Sequence, residues 1–180
     1  LTGIHLGNYG KDLEPRASLL ELLRAILQQP DAVRVRLSSI EPLELTDGII
    51  ELAAGSERIC RHFHVPLQSG DARVLKRMGR PYTPEEFAER VAQVRRRLPE
   101  AAIGAAVLIG FPGDTDAAFE NTYALVERLP LTYLHVFPFS ARPGTAAWGL
   151  SDPVPPEAIR ERCARMRQLG AEYDELEVRA

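Results

Sequence analysis

The sequence predicts an α/β fold, a partial and open β/α barrel with parallel strands. Its 180 residues are 45% hydrophobic and 26% charged, which is typical of a globular chain of about one domain. Apolar runs typical of strands alternate with amphipathic patterns typical of helices about every 30 to 40 residues, the length of a βα unit. Right-handed crossovers make such strands parallel. Five predicted strands are too few to close a standard barrel, so an open one is expected.

The strand predictions rest on apolar or alternating runs that end in turn residues. The clearest run, residues 105–109, is entirely apolar and ends in the turn Gly-Phe-Pro-Gly. The other strands are predicted at residues 1–6, 33–38, 62–67 and 133–137. A polar or Gly/Pro-rich loop follows each strand, so candidate functional groups are expected along the carboxyl edge of the sheet.

Helix starts are marked by two capping boxes, in which a hydroxyl and a carboxylate three residues later satisfy each other's backbone N–H groups. Ser18 and Glu21 form the first box, and Thr83 and Glu86 the second, with Pro84 at the first helical position. The helices themselves are predicted at residues 18–29, 46–54, 71–78, 83–98, 119–129 and 157–176.

Charge and cysteine content limit the function classes. A net charge of −3 and a pI near 5.9 give no general footprint for nucleic acid. An RNA contact would need a local patch such as Arg95, Arg96 and Arg97, a run that equally suits a solvated helix end. Cys60 and Cys163 lack metal-ligand spacing and are expected to be two buried thiols in a reducing compartment. With no signal peptide and no apolar run near ~20 residues, a cytoplasmic, non-membrane protein is expected.

Several polar residues near strand ends allow two interpretations each. His62 and His64 share a strand face and could ligate a metal, although bonding to neighbouring loops is favoured. Arg142 could clamp a carboxylate or phosphate, or pin its own loop. Glu41 could bind a ribose hydroxyl or cap the next element, and Asp114 could serve a ligand or cap the following helix.

Four motifs occur together in one order along most of the chain. They are HVPLQSG at residues 64–70, LKRM at 75–78, IGFPG at 109–113 and FPFSARPGT at 137–145. Together they resemble the radical S-adenosylmethionine methylthiotransferases. The segments TGIHLGNYG at 2–10 and LSSIEP at 37–42 are similar to the branch that methylthiolates threonylcarbamoyladenosine in tRNA.

The resemblance implies an open barrel that holds S-adenosylmethionine against a 4Fe–4S cluster, with an electron donor and tRNA as partners. The product would be a methylthio group on a modified adenosine beside the anticodon. By similarity, Arg142 is expected to bind substrate. The residues expected near the cofactor are Ser38, Glu41, His64, Gln68, Ser69, Gly110, Phe137 and Pro138. In such enzymes the cofactor carries the hard chemistry and the protein positions it.

The chain departs from the family pattern in three ways. The cluster motif C-x3-C-x2-C is absent and is expected before Leu1, so residues 1–180 are interpreted as a barrel core that is inactive alone. An N-terminal domain for a second cluster and a C-terminal RNA-binding domain are likewise expected outside it. Ala106 stands where the family usually has an acidic residue, and Asp114 where it has Glu.

Two other function classes remain open at this stage. A phosphate-binding β/α barrel lyase or isomerase would use the turn from Gly110 to Gly113 as an anion cradle, but no lysine or paired carboxylates suited to proton transfer follow the strands. A non-catalytic barrel that only binds ligands is favoured by the missing cysteines.

Overall fold

The computed structural model describes residues 1–31 and 34–178, with side chains through residue 173. At its centre is a parallel sheet of three strands in the order β1 (His62–Gln68), β2 (Ala102–Ile109) and β3 (Tyr133–Pro138). The helices are α1 (Leu19–Gln28), α2 (Asp47–Ala54), α3 (Ala72–Arg77), α4 (Pro84–Arg97), α5 (Asp116–Arg128) and α6 (Pro156–Val178). The predicted α/β class with an open parallel sheet is confirmed.

Both predicted capping boxes are present and fix the starts of α1 and α4. The Ser18 hydroxyl accepts from the Glu21 N–H at 3.2 Å, and the Glu21 carboxylate accepts from the Ser18 N–H at 2.7 Å. Thr83 and Glu86 repeat the arrangement at the start of α4, where Pro84 is the first helical residue. All six predicted helices occur, with ends that differ by a few residues.

The two predicted N-terminal strands are wrong as strands. Residues 1–6 contain no strand and lead into a 3-10 turn, Leu6–Asn8. In the segment 33–38, Val33 lies outside the described residues, and Val35 makes one isolated parallel bridge to Ile59. A strand needs a continuous ladder of partners, and these segments have single contacts instead.

Those contacts nevertheless follow the expected parallel order. The Leu1 amino group donates to the Arg36 carbonyl, and the Ser38 N–H donates back to the Leu1 carbonyl at 3.0 Å. The Ile40 N–H donates to the His64 carbonyl at 3.0 Å. Residues 35–40 therefore run beside β1 and extend the sheet edge.

The two faces of the sheet are covered by other elements to different extents. One face packs its apolar side chains, including Phe63, Val65, Ile103 and Val107, into a core shared with α4, α5 and α6. Phe119 of α5 belongs to the same core. The alternate residues form the opposite face, which we call the open face. This face includes His62, His64, Gly104, Ala106, Tyr133, His135 and Phe137, and the last two are exposed. Among the described residues, no helix is long and apolar enough to cross a membrane.

Candidate functional site

The carboxyl edge of the sheet is shaped by an irregularity at the end of β1. The register between β1 and β2 shifts between Pro66 and Gln68, and Gln68 has a φ of 67°, in the left-handed region that disfavours side chains other than glycine. Such bulges re-aim a side chain at strand ends. Gln68 is half-buried at this edge, where the sequence places it in the cofactor set.

Ser38 lies within the segment beside β1 and Glu41 directly follows it, and their side chains differ in availability. The Ser38 hydroxyl is buried and has no hydrogen-bond partner among the described residues. Such an orphan is unfavourable unless a ligand or water satisfies it. The Glu41 carboxylate already accepts from the Arg80 guanidinium at 3.1 Å, so binding a ligand would mean sharing or releasing Arg80.

Ser69 also belongs to the predicted cofactor set, but its hydroxyl already forms hydrogen bonds within the chain. It is 3% exposed, its hydroxyl lies 3.3 Å from the Thr122 hydroxyl of α5, and it accepts from the Asp71 N–H. The Gly70 N–H also donates to Thr122, at 2.9 Å. This hydroxyl therefore ties the loop after β1 to the helical layer.

The turn after β2 is held by a buried carboxylate. Gly110 has a φ of 86°, and its N–H donates to the Asp114 carboxylate at 3.0 Å. A Cβ at Gly110 would lie 2.4 Å from the Ile159 side chain, so the approach of α6 explains this glycine. Burial raises the pKa of Asp114. Asp114 does not cap α5, because the Thr115 hydroxyl accepts from the Ala118 N–H and fills that role.

The end of β3 presents Phe137 and Pro138, which are exposed. Phe137 contacts His135 edge-on, with ring centroids 6.2 Å apart. Beyond them the Arg142 carbonyl accepts from Thr145, but within the described residues its guanidinium makes no hydrogen bond. The loop-pinning interpretation of this side chain thus finds no support, and the guanidinium is available to an external anion.

The open face carries a polar cluster that the sequence reasoning did not assemble. The Tyr133 hydroxyl of β3 lies 2.9 Å from His62 Nε2 and 3.1 Å from His64 Nδ1. The two histidines share a face as predicted. His64 bonds to this phenol rather than to a loop, whereas His62 also bonds to Arg36 of the irregular segment beside β1, as the loop interpretation expects. The available signal was Gly104, just before the predicted strand at 105–109; the structure places it inside β2, where a glycine indicates close approach of another group. A Cβ there would lie 1.9 Å from the Tyr133 ring.

The imidazoles of this cluster favour their neutral forms. Burial lowers the pKa of His64 to about 4, and the nearby His135 and His62 rings add to the shift. Burial and the Arg36 guanidinium lower the pKa of His62. No carboxylate hydrogen-bonds to these two rings in the part of the chain described, and both therefore serve as uncharged hydrogen-bonding groups near neutral pH.

Metal ligation finds no support in the side chains the structure describes. They include no group of three or more His, Cys, Asp or Glu residues that could hold a metal ion. Cys163 is buried in α6, where burial raises the pKa of its thiol, and Cys60 is half-buried ahead of β1. An iron–sulfur cluster needs several thiolates at one place, and these residues do not fit it.

The basic run at the end of α4 is engaged with its surroundings. Arg95 donates to the Pro99 carbonyl and, at 2.8 Å, to the Pro130 carbonyl. Arg96 pairs with Glu89 at 2.8 Å, and Arg97 pairs with Glu51. These partners favour interpreting the run as a solvated helix end rather than as an RNA contact.

Comparison with known proteins assigns the family. The model of the Radical SAM superfamily matches residues 5–126, and the chain belongs to that superfamily. It is 41% identical over 96% of its length to the threonylcarbamoyladenosine tRNA methylthiotransferase MtaB of Bacillus subtilis, and 43% identical over 90% to that of Thermotoga maritima. It is 34% identical, over 92%, to the tRNA-2-methylthio-N(6)-dimethylallyladenosine synthase of Acetivibrio thermocellus. The chain spans 35–39% of the length of these relatives.

Two solved structures share the fold. The coproporphyrinogen III oxidase HemN of Escherichia coli, a radical SAM enzyme, aligns over 84% of this chain and 36% of its own, with a TM-score of 0.63 and 20% identity. The radical S-adenosylmethionine methyltransferase TsrM of Kitasatospora setae, solved with cobalamin and a [4Fe-4S] cluster, aligns over 67% of this chain and 23% of its own, with a TM-score of 0.56 and 21% identity.

Proposed function

We propose that this chain is the S-adenosylmethionine-binding core of a tRNA methylthiotransferase. The observation that carries the proposal is the similarity to tRNA methylthiotransferases over nearly the whole of this chain, at 41% and 43% identity. The open parallel sheet with polar residues at its carboxyl edge suits that role, because α/β proteins bind ligands at this edge. The lyase or isomerase alternative has no comparable support.

The fit to S-adenosylmethionine rests on groups left unsatisfied by the chain itself. The buried Ser38 hydroxyl lacks a partner among the described residues, and Gln68 is re-aimed by the bulge that ends β1. Phe137 and Pro138 offer an exposed apolar surface and backbone carbonyls for the adenine, with Gly110 on the neighbouring turn and Glu41 at the ribose. Ser69 would contribute through its backbone, since its hydroxyl is engaged.

The cofactor pair would supply one-electron chemistry that breaks a substrate C–H bond. The protein's part is to orient the cofactor and substrate, and Arg142, whose guanidinium is available, is suited to an anionic group of the substrate. The described residues offer no ligand set for the cluster, so its ligands would be supplied by cysteines outside them. A one-electron donor would be needed as a partner, and a cytoplasmic location suits a tRNA substrate.

The nucleoside favoured by the comparisons is threonylcarbamoyladenosine. The relatives named for it are 41% and 43% identical to this chain, against 34% for the relative named for dimethylallyladenosine. The test is to produce the natural full-length protein without oxygen, incubate it with tRNA bearing either nucleoside, and analyse the digested nucleosides by mass spectrometry. A mass increase of one CH2S unit on threonylcarbamoyladenosine is expected, and its absence on both nucleosides would refute the proposal.

Cofactor binding is tested on this chain directly. Equilibrium dialysis with S-adenosylmethionine should show saturable binding in the millimolar range, since the cluster that would hold the methionine end is not supplied by the described residues. Ser38→Ala should weaken binding about three- to tenfold, as expected for one lost hydrogen bond. Ser140→Ala, at the same edge but outside the proposed set, is the control. Equal affinity in all three proteins would remove Ser38 from the site.

A further inference from the structure

The open-face cluster contains one phenol between two imidazoles, and the direction of its hydrogen bonds is determined at one end. The Arg36 guanidinium lies along the His62 ring, with Nη2 2.8 Å from Nε2 and Nε 3.3 Å from Nδ1. A guanidinium can only donate, and a neutral imidazole has one nitrogen able to accept. Arg36 therefore uses the single acceptor that His62 has.

Either nitrogen of His62 could be the acceptor that Arg36 uses. With either one, the Tyr133 hydroxyl proton has His64 as its remaining partner within the cluster. If Arg36 donates to His62 Nδ1, then Nε2 carries the proton and donates to the Tyr133 oxygen at 2.9 Å. If Arg36 donates to Nε2, that lone pair is used and cannot also accept from Tyr133. In either case the acceptor that remains within the cluster for the Tyr133 hydroxyl proton is His64 Nδ1, 3.1 Å away.

We propose that Tyr133 is a positioning residue that fixes His64 as the Nε2-protonated, neutral tautomer, and that His64 thereby presents a hydrogen-bond donor from the floor of the open face to an acceptor atom of the bound cofactor. The use of this donor by a cofactor rests on the proposed function; the tautomer does not.

The surroundings of His64 hold its ring in place and leave its Nε2 without a partner among the described residues. Tyr133 stacks against His62 and His64 at centroid distances of 5.7 Å each, and its ring covers Gly104. The His135 ring lies 5.1 Å from His64 and 5.2 Å from Tyr133, so the three rings contact one another. Among the described residues, Nε2 of His64 has no hydrogen-bond partner. The neighbouring position on β2, Ala106, is too small to reach it.

The tautomer is measured without any ligand. The chain has four histidines, so a two-bond proton–nitrogen NMR spectrum of the 15N-histidine-labelled chain resolves each ring. His64 is assigned by the signals lost in His64→Gln. The expected pattern at pH 7 is an unprotonated Nδ1 and a protonated Nε2, and Tyr133→Phe should convert it to a mixture of tautomers. A protonated Nδ1 in the unsubstituted chain, or an unchanged pattern in Tyr133→Phe, would overturn the proposal.

The use of the donor is measured by dialysis against S-adenosylmethionine. Glutamine places its amide nitrogen near the position of Nε2, whereas asparagine reaches only as far as Nδ1. We expect His64→Gln to bind within about threefold of the unsubstituted chain, and His64→Asn and Tyr133→Phe to bind about five- to twentyfold more weakly. Tyr173→Phe is the matched control, because the Tyr173 hydroxyl donates to the Val126 carbonyl within the helical layer.

The outcomes separate this proposal from the proposed function. Normal cofactor binding in all four variants would refute the donor role and leave the proposed function standing. No binding by the unsubstituted chain would count against the proposed function, while the NMR pattern would still decide whether Tyr133 fixes the tautomer. Circular dichroism of each variant confirms that a weaker binder is folded.

Discussion

The fold keeps the His64 imidazole neutral well below the pH at which a histidine in an unfolded chain becomes charged. Its pKa is lowered to about 4, against about 6.5 when exposed, and the pKa of His62 is lowered too. The unfolded chain takes up the His64 proton as the pH falls through 6.5, and the folded chain does not take it up until near pH 4. Stability contributed by neutral His64 is thus complete above pH 6.5 and is lost between 6.5 and 4.

The predicted loss for His64 over that window is about 1–2 kcal/mol, less than the full shift would give because the ring is partly exposed to solvent. Urea unfolding of the unsubstituted chain and of His64→Gln, at intervals from pH 8 to pH 4, measures it. Carboxylates titrate in both proteins and cancel in the difference. If the two stability curves stay parallel between pH 6.5 and 4, His64 is not the group responsible.

Gly104 is required by the ring that lies on it. A Cβ would fall 1.9 Å from Cζ of Tyr133, so Gly104→Ala must push the phenol away from His62 and His64. We expect a loss of about 1–3 kcal/mol in the free energy of unfolding, the range for overpacking a buried site. Chemical denaturation measures this loss, and Gly149→Ala is the control, because nothing lies within 4 Å of its added Cβ.

A double-mutant cycle identifies the cause. If the ring is the obstacle, adding Gly104→Ala to Tyr133→Ala should be nearly neutral, because the space above the glycine is then empty. An equal loss in both backgrounds would show that the backbone of β2, rather than Tyr133, requires glycine.

At the scale of elements, α6 is fastened to the turn after β2 by one buried arginine. Arg162 is 8% exposed and donates to the Asp114 carbonyl and to the Asp116 carboxylate, each at 2.7 Å. We predict that Arg162→Met lowers the free energy of unfolding by about 2–4 kcal/mol, because it leaves the buried Asp114 carbonyl without its donor and removes the cation 3.5 Å from the buried Asp114 carboxylate. Urea unfolding gives the value.

The matched control for α6 is the same substitution at an exposed pair. Arg96 and Glu89 are each about 60% exposed, and Arg96→Met should change stability by less than about 1 kcal/mol. Hydrogen exchange at the Gly110 amide, which Asp114 holds, should accelerate in Arg162→Met alone. Comparable losses in the two variants would mean that Arg162 acts as an ordinary surface charge.

Elements whose signals are local were predictable from the sequence, and those that depend on partners were not. Ser18 and Glu21 are three residues apart and satisfy each other, so the start of α1 is encoded where it occurs. Residues 1–6 look like a strand, but a strand exists only through a neighbour's ladder, and here Leu1 makes the sole paired contact with residues 36–38. Periodicity carries no information about that neighbour.

The same distinction applies to the candidate site. The sequence correctly placed Gln68 and Phe137 at strand ends, because the order of strands and loops is local information, whereas Ser38 lies in a segment that forms no strand. It did not indicate that the Ser69 hydroxyl turns to Thr122, since a single bulge decides which way a loop residue faces. The contact between His64 and Tyr133 joins residues 69 positions apart, and only Gly104 hinted at it.

At the scale of the whole molecule, the charge distribution decides how this chain can meet an RNA. The net charge is −3, and the basic run at the end of α4 is paired with Glu51, Glu89 and backbone carbonyls. Phosphate binding requires cationic side chains whose present hydrogen bonds and ion pairs cost little free energy to break. Arg142, at the carboxyl edge, has a guanidinium without a hydrogen-bond partner among the described residues.

We therefore predict that this chain alone binds tRNA weakly, with a Kd above about 10 µM at physiological salt, and that its remaining affinity depends on the carboxyl edge. In fluorescence anisotropy at low salt, Arg142→Ala should weaken binding several-fold, whereas Arg96→Ala should have no effect, because Arg96 is already neutralised by Glu89. The opposite pattern would place the RNA on the end of α4 rather than at the carboxyl edge. Under the proposed function a substrate nucleoside has to reach the cofactor, so that result would also show that the contact measured is not the productive one.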